Sequence, residues 1–198
     1  VESLFIDIHE APDIVPPLIL HANISYSTGT LVLTSDEVLD FTASSQVNIS
    51  KFFLSNNAED KFLSISKASI VESDGLHVTV ILSERERVDA IAISESKLKG
   101  GDGNPVLLDL LKNAVQDVAY NGNLKQSSIF VHEVPDFIVP NITNGTLDYS
   151  EGILTLQATE IVDSTPGYMV VLPLVLVVNN TGDPVLSLTG GTVTASDE

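Results

Sequence analysis

The sequence predicts an all-β protein made of tandem immunoglobulin-like β-sandwiches, with two short helical insertions in each repeat. Three observations lead to this fold class. One stretch of the chain recurs at a fixed distance, which is the signature of a repeat architecture. Short runs of alternating apolar and polar residues are separated by turn signals, as in a β-sandwich. Two segments instead carry helical patterns.

The internal repeat has an offset of 123 residues. Residues 11–33 (APDIVPPLILHANISYSTGTLVL) align without a gap on residues 134–156 (VPDFIVPNITNGTLDYSEGILTL). The pairing continues upstream, where His9-Glu10 matches His132-Glu133, and downstream, where Glu37 and Asp40 match Glu160 and Asp163. We therefore divide the chain into the last strand of a preceding repeat (1–10), a complete repeat (11–133) and the N-terminal part of the next repeat (134–198).

The complete repeat begins with a proline-rich connector that we expect to be extended and stiff, because proline fixes φ and removes a backbone donor. Alternating runs at 18–27 and 30–35, joined by a Thr-Gly turn, predict a hairpin. Further strands are predicted at residues 47–54, 62–66, 68–72, 76–82 and 125–131.

Two helices are predicted within the repeat. Ser83 and Glu86 have the spacing of a capping box, which predicts a short helix over 84–92. Apolar residues between Leu107 and Val118 recur at helical spacing after Asn104 and Pro105, which predicts a second helix of two or three turns.

Composition restricts the function. The chain has 27 acidic and 9 basic residues, a net charge of −18, so nucleic acid is not an expected partner. It has no cysteine, which excludes disulfides and thiolate chemistry. The apolar run Tyr168–Val178 is too short to span a bilayer, which needs about 20 residues, and contains Pro173. We interpret it as a buried strand and expect no membrane span in this segment.

Five N-glycosylation sequons, more than chance predicts, favour a secreted, cell-surface protein carrying N-linked glycans. The acceptor asparagines are Asn23, Asn48, Asn141, Asn144 and Asn179.

At the level of whole motifs the chain resembles a known class of repeats. The motifs are Asp-x-x-x-Pro at 13–17, Tyr-Ser-x-Gly-x-Leu-x-Leu at 26–33, Glu-x-x-Asp at 37–40, SERERVDAIAIS at 83–94 and GGDGN at 100–104. They resemble tandem repeats of large cell-surface or filament proteins of diatoms and other stramenopile algae. The segment VQDVAYN at 115–121 is distantly similar to the ending of cyanobacterial swimming-motility repeats. The resemblance implies an extracellular structural or adhesive array, like a flagellar hair or an adhesin, and names no catalytic residue.

Calcium is the metal that the sequence favours, because hard cations take carboxylate, amide and carbonyl oxygens and these side chains recur at the junctions. We expect residues from the end of a unit, the connector and the first loop of the next unit to converge on an interdomain site. Turn formation and helix capping also explain these residue types. The candidate ligands are Glu10, Asp13, Asp36, Glu37, Asp117, Asn121, Glu133, Asp136 and Glu160.

The main prediction is therefore a non-enzymatic array whose partners are neighbouring repeats and other copies of the same protein in a fibre or matrix. A glycan-binding or cell-surface-binding module is the first alternative, and a polysaccharide-acting enzyme with paired acids in one cleft is the second. A further hypothesis is strand exchange, in which the strand at residues 1–9 completes a half-domain of another copy.

Overall fold

A computed structural model of the chain describes residues 8–56, 62–162, 164, 167, 170–179 and 181–194. The chain divides into unit 1, Val1–Ile138, and unit 2, Val139–Glu198. Most of the strand predicted at residues 1–10 lies outside the described residues, as does Asp163 of the repeat alignment.

Unit 1 is mostly β-structure, which confirms the all-β prediction. Its strands run in the order β4-β3-β7-β8-β1-β2-β6-β5 across one sheet. Their bounds are β1 Ile19–Ser25, β2 Thr30–Leu39, β3 Phe52–Asn56, β4 Phe62–Ser64, β5 Ser69–Ile70, β6 Gly75–Ile81, β7 Val106–Leu110 and β8 Gln126–Val134.

The pairing of the first and last of these strands makes the sheet continuous. β1 and β8 run parallel, with Ala22 opposite Val131 and Ser25 opposite Val134. The other strand pairs in the sheet are antiparallel. Hydrogen bonding therefore joins the strands into a single curled sheet, whereas the sequence predicted two separate layers.

Period-two alternation builds the core of unit 1. In β7 Val106, Leu108 and Leu110 are buried and the residues between them are half-exposed. β2 places Leu31 and Leu33 inward in the same way. One face of each strand thus contributes to a common core, whose largest buried side chains include Tyr26, Phe41, Phe52, Ile24, Leu31, Leu33, Leu39, Leu54, Ile65, Leu108 and Leu110.

The first predicted helix is confirmed as α1, Glu84–Ala92. Ser83 Oγ accepts a hydrogen bond from the Glu86 backbone N–H, and Glu86 Oε2 accepts one from the Ser83 backbone N–H at 2.9 Å. This reciprocal capping box satisfies donors that the helix itself leaves unpaired.

The second predicted helix is wrong. Residues 106–110 form strand β7, and Ala114 and Val115 are buried in the irregular segment that follows. A run such as Val-Leu-Leu-Asp-Leu fits both periods when it is short. The segment pairs with β3 on one side and with β8 on the other, which satisfies its backbone hydrogen bonds, so tertiary context selects the strand. Each repeat was expected to carry two helical insertions, and unit 1 has one α-helix among its described residues.

Unit 2 contains two hairpins. They are formed by β9 (Ile142–Asp148) with β10 (Ile153–Ala158), and by β11 (Leu176–Val178) with β12 (Pro184–Ser187). The apolar run from Tyr168 to Val178 was predicted as one buried strand, but in its described part the only strand is Leu176–Val178, β11. Leu172–Leu174 is a 3-10 helix, and Leu174, Leu176 and Val178 are exposed.

The β9–β10 hairpin repeats the β1–β2 hairpin at the 123-residue offset. Ser25 pairs with Thr30 in unit 1, and Asp148 pairs with Ile153 in unit 2. Both ladders carry a register shift at the equivalent place. In unit 1 Ile19 pairs with Ser35 and His21 with Thr34. In unit 2 the equivalent pairs are Ile142 with Ala158 and Asn144 with Gln157. The sequence alignment therefore corresponds to the same backbone structure at the hairpin.

Candidate metal site

Three of the nine candidate ligands meet at one end of unit 1. Asp13 comes from the connector, Glu37 from β2 and Asp117 from the loop after β7. One carboxylate oxygen from each lies within 4.8 Å of the other two. This group, the acidic triad, is exposed at Asp13, half-buried at Glu37 and buried at Asp117. The sequence predicted a site between units, with ligands from the end of one unit, the connector and the first loop of the next, whereas all three members of this cluster belong to unit 1.

Asp117 is the fixed member of the triad. Its carboxylate accepts hydrogen bonds of 2.8 Å from the backbone N–H groups of Ala119 and Asn121 and from the Asn121 side-chain amide. Leu39 forms a β-bridge with Asp117, which ties this loop to the end of β2. Asn121 therefore orients Asp117 through its side-chain nitrogen.

Local hydrogen bonds also position the connector. Asp13 Oδ1 accepts a bond of 3.0 Å from the Val15 backbone N–H. Asp36 Oδ1 accepts one of 2.9 Å from Leu18 N–H, and the Asp36 N–H donates to the Leu18 carbonyl at 3.1 Å. Asp36 thus connects the start of β1 to β2. It lies beside the triad but is not one of its three residues.

The carboxylates of the triad repel one another. Burial raises the pKa of the Glu37 carboxyl, and the negative charges of Asp117, Asp13 and Asp36 raise it further. A divalent cation would reverse this repulsion. Carboxylate oxygens at this spacing suit a hard cation such as Ca²⁺, with water completing its six to eight ligands.

The remaining candidate ligands lie elsewhere. Glu10 is exposed on the connector, and Glu160 is half-buried in unit 2. Glu133 is buried in β8, where it accepts hydrogen bonds from Tyr26 Oη at 2.7 Å and from Val106 N–H at 2.8 Å. These residues are not part of the acidic triad. The expectation that Glu133 is a ligand of an interdomain site is wrong, because its carboxylate is engaged inside the unit.

Asp136 forms an ion pair that the sequence did not predict. Its Oδ2 atom lies 2.6 Å from the Arg87 Nη1 atom, and Arg87 also pairs with Glu84 at 2.7 Å. Although it belongs to the highly charged first turn of α1, the Arg87 side chain is only 6% exposed. No charge pattern within the helix signals this, because the carboxylate partner is 49 residues away.

A clamp results where the second connector begins. Arg87 Nη1 also donates to the Tyr26 carbonyl at 2.8 Å, and Ser27 Oγ donates to Asp136 Oδ1 at 3.2 Å. Although burial opposes it, hydrogen bonds from Ile138 N–H, Arg87 and Ser27 hold the pKa of Asp136 below its usual value. We call Arg87, Ser27 and Asp136 the connector clamp. The hydrogen bond to Glu84, and to a smaller extent the one to Asp136, raises the pKa of Arg87, so the guanidinium stays charged.

Four of the five sequon asparagines are exposed: Asn48, Asn141, Asn144 and Asn179. Asn23 is half-exposed in β1, where its backbone pairs with Val32 on one side and His132 on the other. The sequons occupy different positions in the two repeats, since Asn23 aligns on Thr146 and Asn144 on His21.

Comparisons of the chain with protein-family models, curated proteins and solved structures find no match. Among the helices in the described part of the chain, none has the length and apolar character needed to cross a membrane.

Proposed function

We propose that this chain is a segment of an extracellular array of immunoglobulin-like repeats with a structural or adhesive role at the cell surface, in a filament or a matrix. The observation that carries the proposal is the hairpin that recurs after 123 residues with the same register and the same bulge. An array of this kind assigns no catalytic residue to the chain.

Strand order supports the immunoglobulin-like assignment of unit 1. In that fold strands A, B, E and D form one sheet, and C, F and G form the other, with C′ added beside C in some members. Assigning β1 to β8 as A, B, C, C′, D, E, F and G turns the observed order into C′-C-F-G followed by A-B-E-D. The parallel β1–β8 pair is then the contact between strands A and G, where the two layers meet.

The connectors support a mechanical role. Residues 10–17 and 133–140 each contain prolines and an Asp, which favour a short extended link. At the second connector the clamp of Arg87, Ser27 and Asp136 fixes where the chain leaves the unit. Stability in such arrays is a sum over repeats and their interfaces, so fixed exits serve the whole array.

Calcium belongs to the same proposal. The acidic triad joins the first connector to β2 and to the loop of Asp117, so a bound cation would stiffen the entry to the unit. The net charge of −18 adds a general electrostatic reason for divalent cations to stabilise the chain.

Imaging of the native material tests the proposal. An antibody raised against the chain should label filaments or matrix outside the cell at regular spacing, and glycosidase treatment should increase the gel mobility of the native protein. Labelling confined to the cytosol, with no mobility change, would contradict the extracellular array.

A further inference from the structure

The sheet of unit 1 brings together histidines that are far apart in the sequence. His21 lies on β1, His77 on β6 and His132 on β8, and all three are exposed. The strands β8, β1, β2 and β6 are consecutive neighbours in the sheet. Three of the four histidines of the chain therefore lie close to one another in the fold, and the fourth, His9, is on the first connector.

The alternation of each strand fixes the face on which these histidines lie. Ala22 follows the histidine of β1, Val78 follows that of β6 and Val131 precedes that of β8, and all three are buried in the core. Successive side chains of a strand point to opposite faces of the sheet. The three histidines therefore share the outer face, which points away from the core.

Two of the histidines flank one threonine. Thr34 of β2 is opposite His21 of β1 and also opposite His77 of β6. These residues form a row across three adjacent strands, in which the two histidines are two strand spacings apart, about 9.5 Å. Because the threonine side chain is short, the two imidazoles can share one ion above it, each through a metal–nitrogen bond of about 2.0–2.1 Å.

The Thr34 hydroxyl orients the His77 ring. Thr34 Oγ1 and His77 Nδ1 are hydrogen-bonded at 3.1 Å. When Nδ1 is the donor of this bond, Nε2 carries the lone pair that a metal ion needs. Histidine ligands of metal ions are held in this way, with the second ring nitrogen engaged by a hydrogen-bond partner. One histidine of the row is thus already positioned as a ligand.

The strands that carry this row contain no charged residue. β1 reads ILHANIS, β6 reads GLHVTVI and residues 30–34 of β2 read TLVLT, in a chain that has 27 acidic and 9 basic residues. A ligand set of imidazoles without carboxylates suits Zn²⁺, Cu²⁺ or Ni²⁺, whereas Ca²⁺ requires oxygen ligands. The net charge of −18 also attracts cations to the chain.

We propose that His21 and His77 bind a divalent transition-metal ion such as Zn²⁺ on the outer face of unit 1, with Thr34 as the residue that positions His77. Water completes the four ligands of a zinc ion. The ligand chemistry separates this site from the acidic triad, and the inference holds or fails independently of the proposed extracellular array.

Calorimetric titration of the full chain with zinc chloride tests the two ligands. His21→Gln and His77→Gln should each weaken zinc affinity at least tenfold. His9→Gln and His132→Gln are the matched controls and should change it less than twofold, because neither residue belongs to the row on Thr34. All four histidines are exposed, so each variant should keep the melting temperature of the parent in chelator.

Three results would overturn the proposal. The first is the absence of zinc binding by the parent chain, and the second is a loss in His9→Gln equal to the loss in His21→Gln. The third is a loss in His132→Gln with full affinity in His77→Gln, which would place the ion between β1 and β8. Glu37→Gln should leave zinc affinity unchanged, and a tenfold loss there would place the ion at the acidic triad instead.

Thr34→Val tests the positioning role, because it keeps a β-branched side chain and removes the hydroxyl that bonds His77. It should weaken zinc affinity about tenfold, and Thr34→Ser should restore most of it. Electron paramagnetic resonance with Cu²⁺ as the probe should show two nitrogen ligands in the parent and one in His77→Gln. Unchanged affinity in Thr34→Val, or an identical Cu²⁺ spectrum in His77→Gln, would refute the assignment.

Discussion

The Tyr26 hydroxyl donates a hydrogen bond of 2.7 Å to Glu133 Oε2 in a buried part of unit 1. Glu133 Oε1 accepts a second bond, of 2.8 Å, from the Val106 backbone N–H. One carboxylate therefore links the end of β1, the start of β7 and the end of β8. Burial, followed by the hydrogen bond to Glu133, raises the pKa of Tyr26, so the phenol remains a donor at neutral pH.

Replacing this donor should destabilise unit 1. Tyr26→Phe leaves one oxygen of a buried carboxylate without its partner, and we expect a loss of about 1–3 kcal/mol in the free energy of unfolding. Urea unfolding followed by circular dichroism measures it. Tyr120→Phe is the matched control, since Tyr120 is 73% exposed, and should stay within about 0.5 kcal/mol of the parent. Equal effects of the two substitutions would contradict the structural role of this bond.

Calcium should stabilise the chain through the acidic triad. At calcium concentrations of about 1 mM, where extracellular modules bind, the melting temperature should rise by about 3–10 °C relative to chelator. Glu37→Gln should remove most of this shift. Asp89→Asn changes an acid outside the triad and should preserve it. An unchanged midpoint in the parent chain would rule out a stabilising calcium site.

Without metal, Glu37→Gln should raise the stability of the chain. The folded-state pKa of Glu37 is raised, so its ionisation costs stability as the pH rises above the ordinary glutamate pKa of about 4.3. In chelator at pH 7, Glu37→Gln should therefore be more stable than the parent, by roughly 0.5 kcal/mol, the size of one exposed charge interaction. The difference should vanish below about pH 4; a constant difference across pH would mean that charge repulsion is not its cause.

The connector clamp should stabilise unit 1 at neutral pH and lose this contribution in acid, which is the opposite of the pH dependence expected for Glu37. The pKa of Asp136 is lowered in the folded chain, so its contribution is present above the ordinary aspartate pKa of about 3.9 and is lost as the pH falls through the folded value. Asp136→Asn should cost about 1–3 kcal/mol at pH 7, because it leaves Arg87 with less compensation for its buried charge.

Urea unfolding of the parent and of Asp136→Asn between pH 7 and pH 2 measures this difference, which should narrow below pH 4. Asp148→Asn, at an exposed position of unit 2, serves as the control and should leave unit 1 unchanged. A gap between parent and Asp136→Asn that stays constant with pH would show that the ion pair is not its source.

Removing the capping box of α1 should lower the free energy of unfolding of unit 1. Ser83→Ala removes the side-chain acceptor for the Glu86 N–H and should cost about 1 kcal/mol in unfolding free energy. Ser45→Ala, at an exposed position outside α1, should have almost no effect. Equal midpoints for Ser83→Ala and the parent would mean that the cap contributes little to unit 1.

Local and repeated signals were the part of the fold that the sequence could predict. The hairpin was found because two copies agree, and α1 because Ser83 and Glu86 are three residues apart. The segment after Asn104 misled because Leu107, Leu110 and Leu111 fit a helix, while burial of Val106, Leu108 and Leu110 against the core favours a strand. Pairing with strands far away in the sequence decides between helix and strand in such a segment, and the periodicity of the segment gives no information about that pairing.

The candidate site divides in the same way. The sequence included all three residues of the triad among its candidate ligands, but it predicted a site between two units, whereas these three lie together within unit 1. The sequence could not separate Asp13 from Asp136, which are equivalent in the alignment. Arg87 engages Asp136, and Asp13 instead lies with Glu37 and Asp117. Which acid is neutralised by a side chain depends on three-dimensional neighbours many residues away.

The parallel direction of β1 and β8 determines how unit 1 responds to tension. The chain enters β1 near Leu18 and leaves β8 near Pro135, so pulling on the two connectors draws these neighbouring strands in opposite directions along their length. The hydrogen bonds between them, together with the Tyr26–Val134 bond, are then sheared as a group. An antiparallel hairpin pulled at its two open ends would instead unzip one bond at a time.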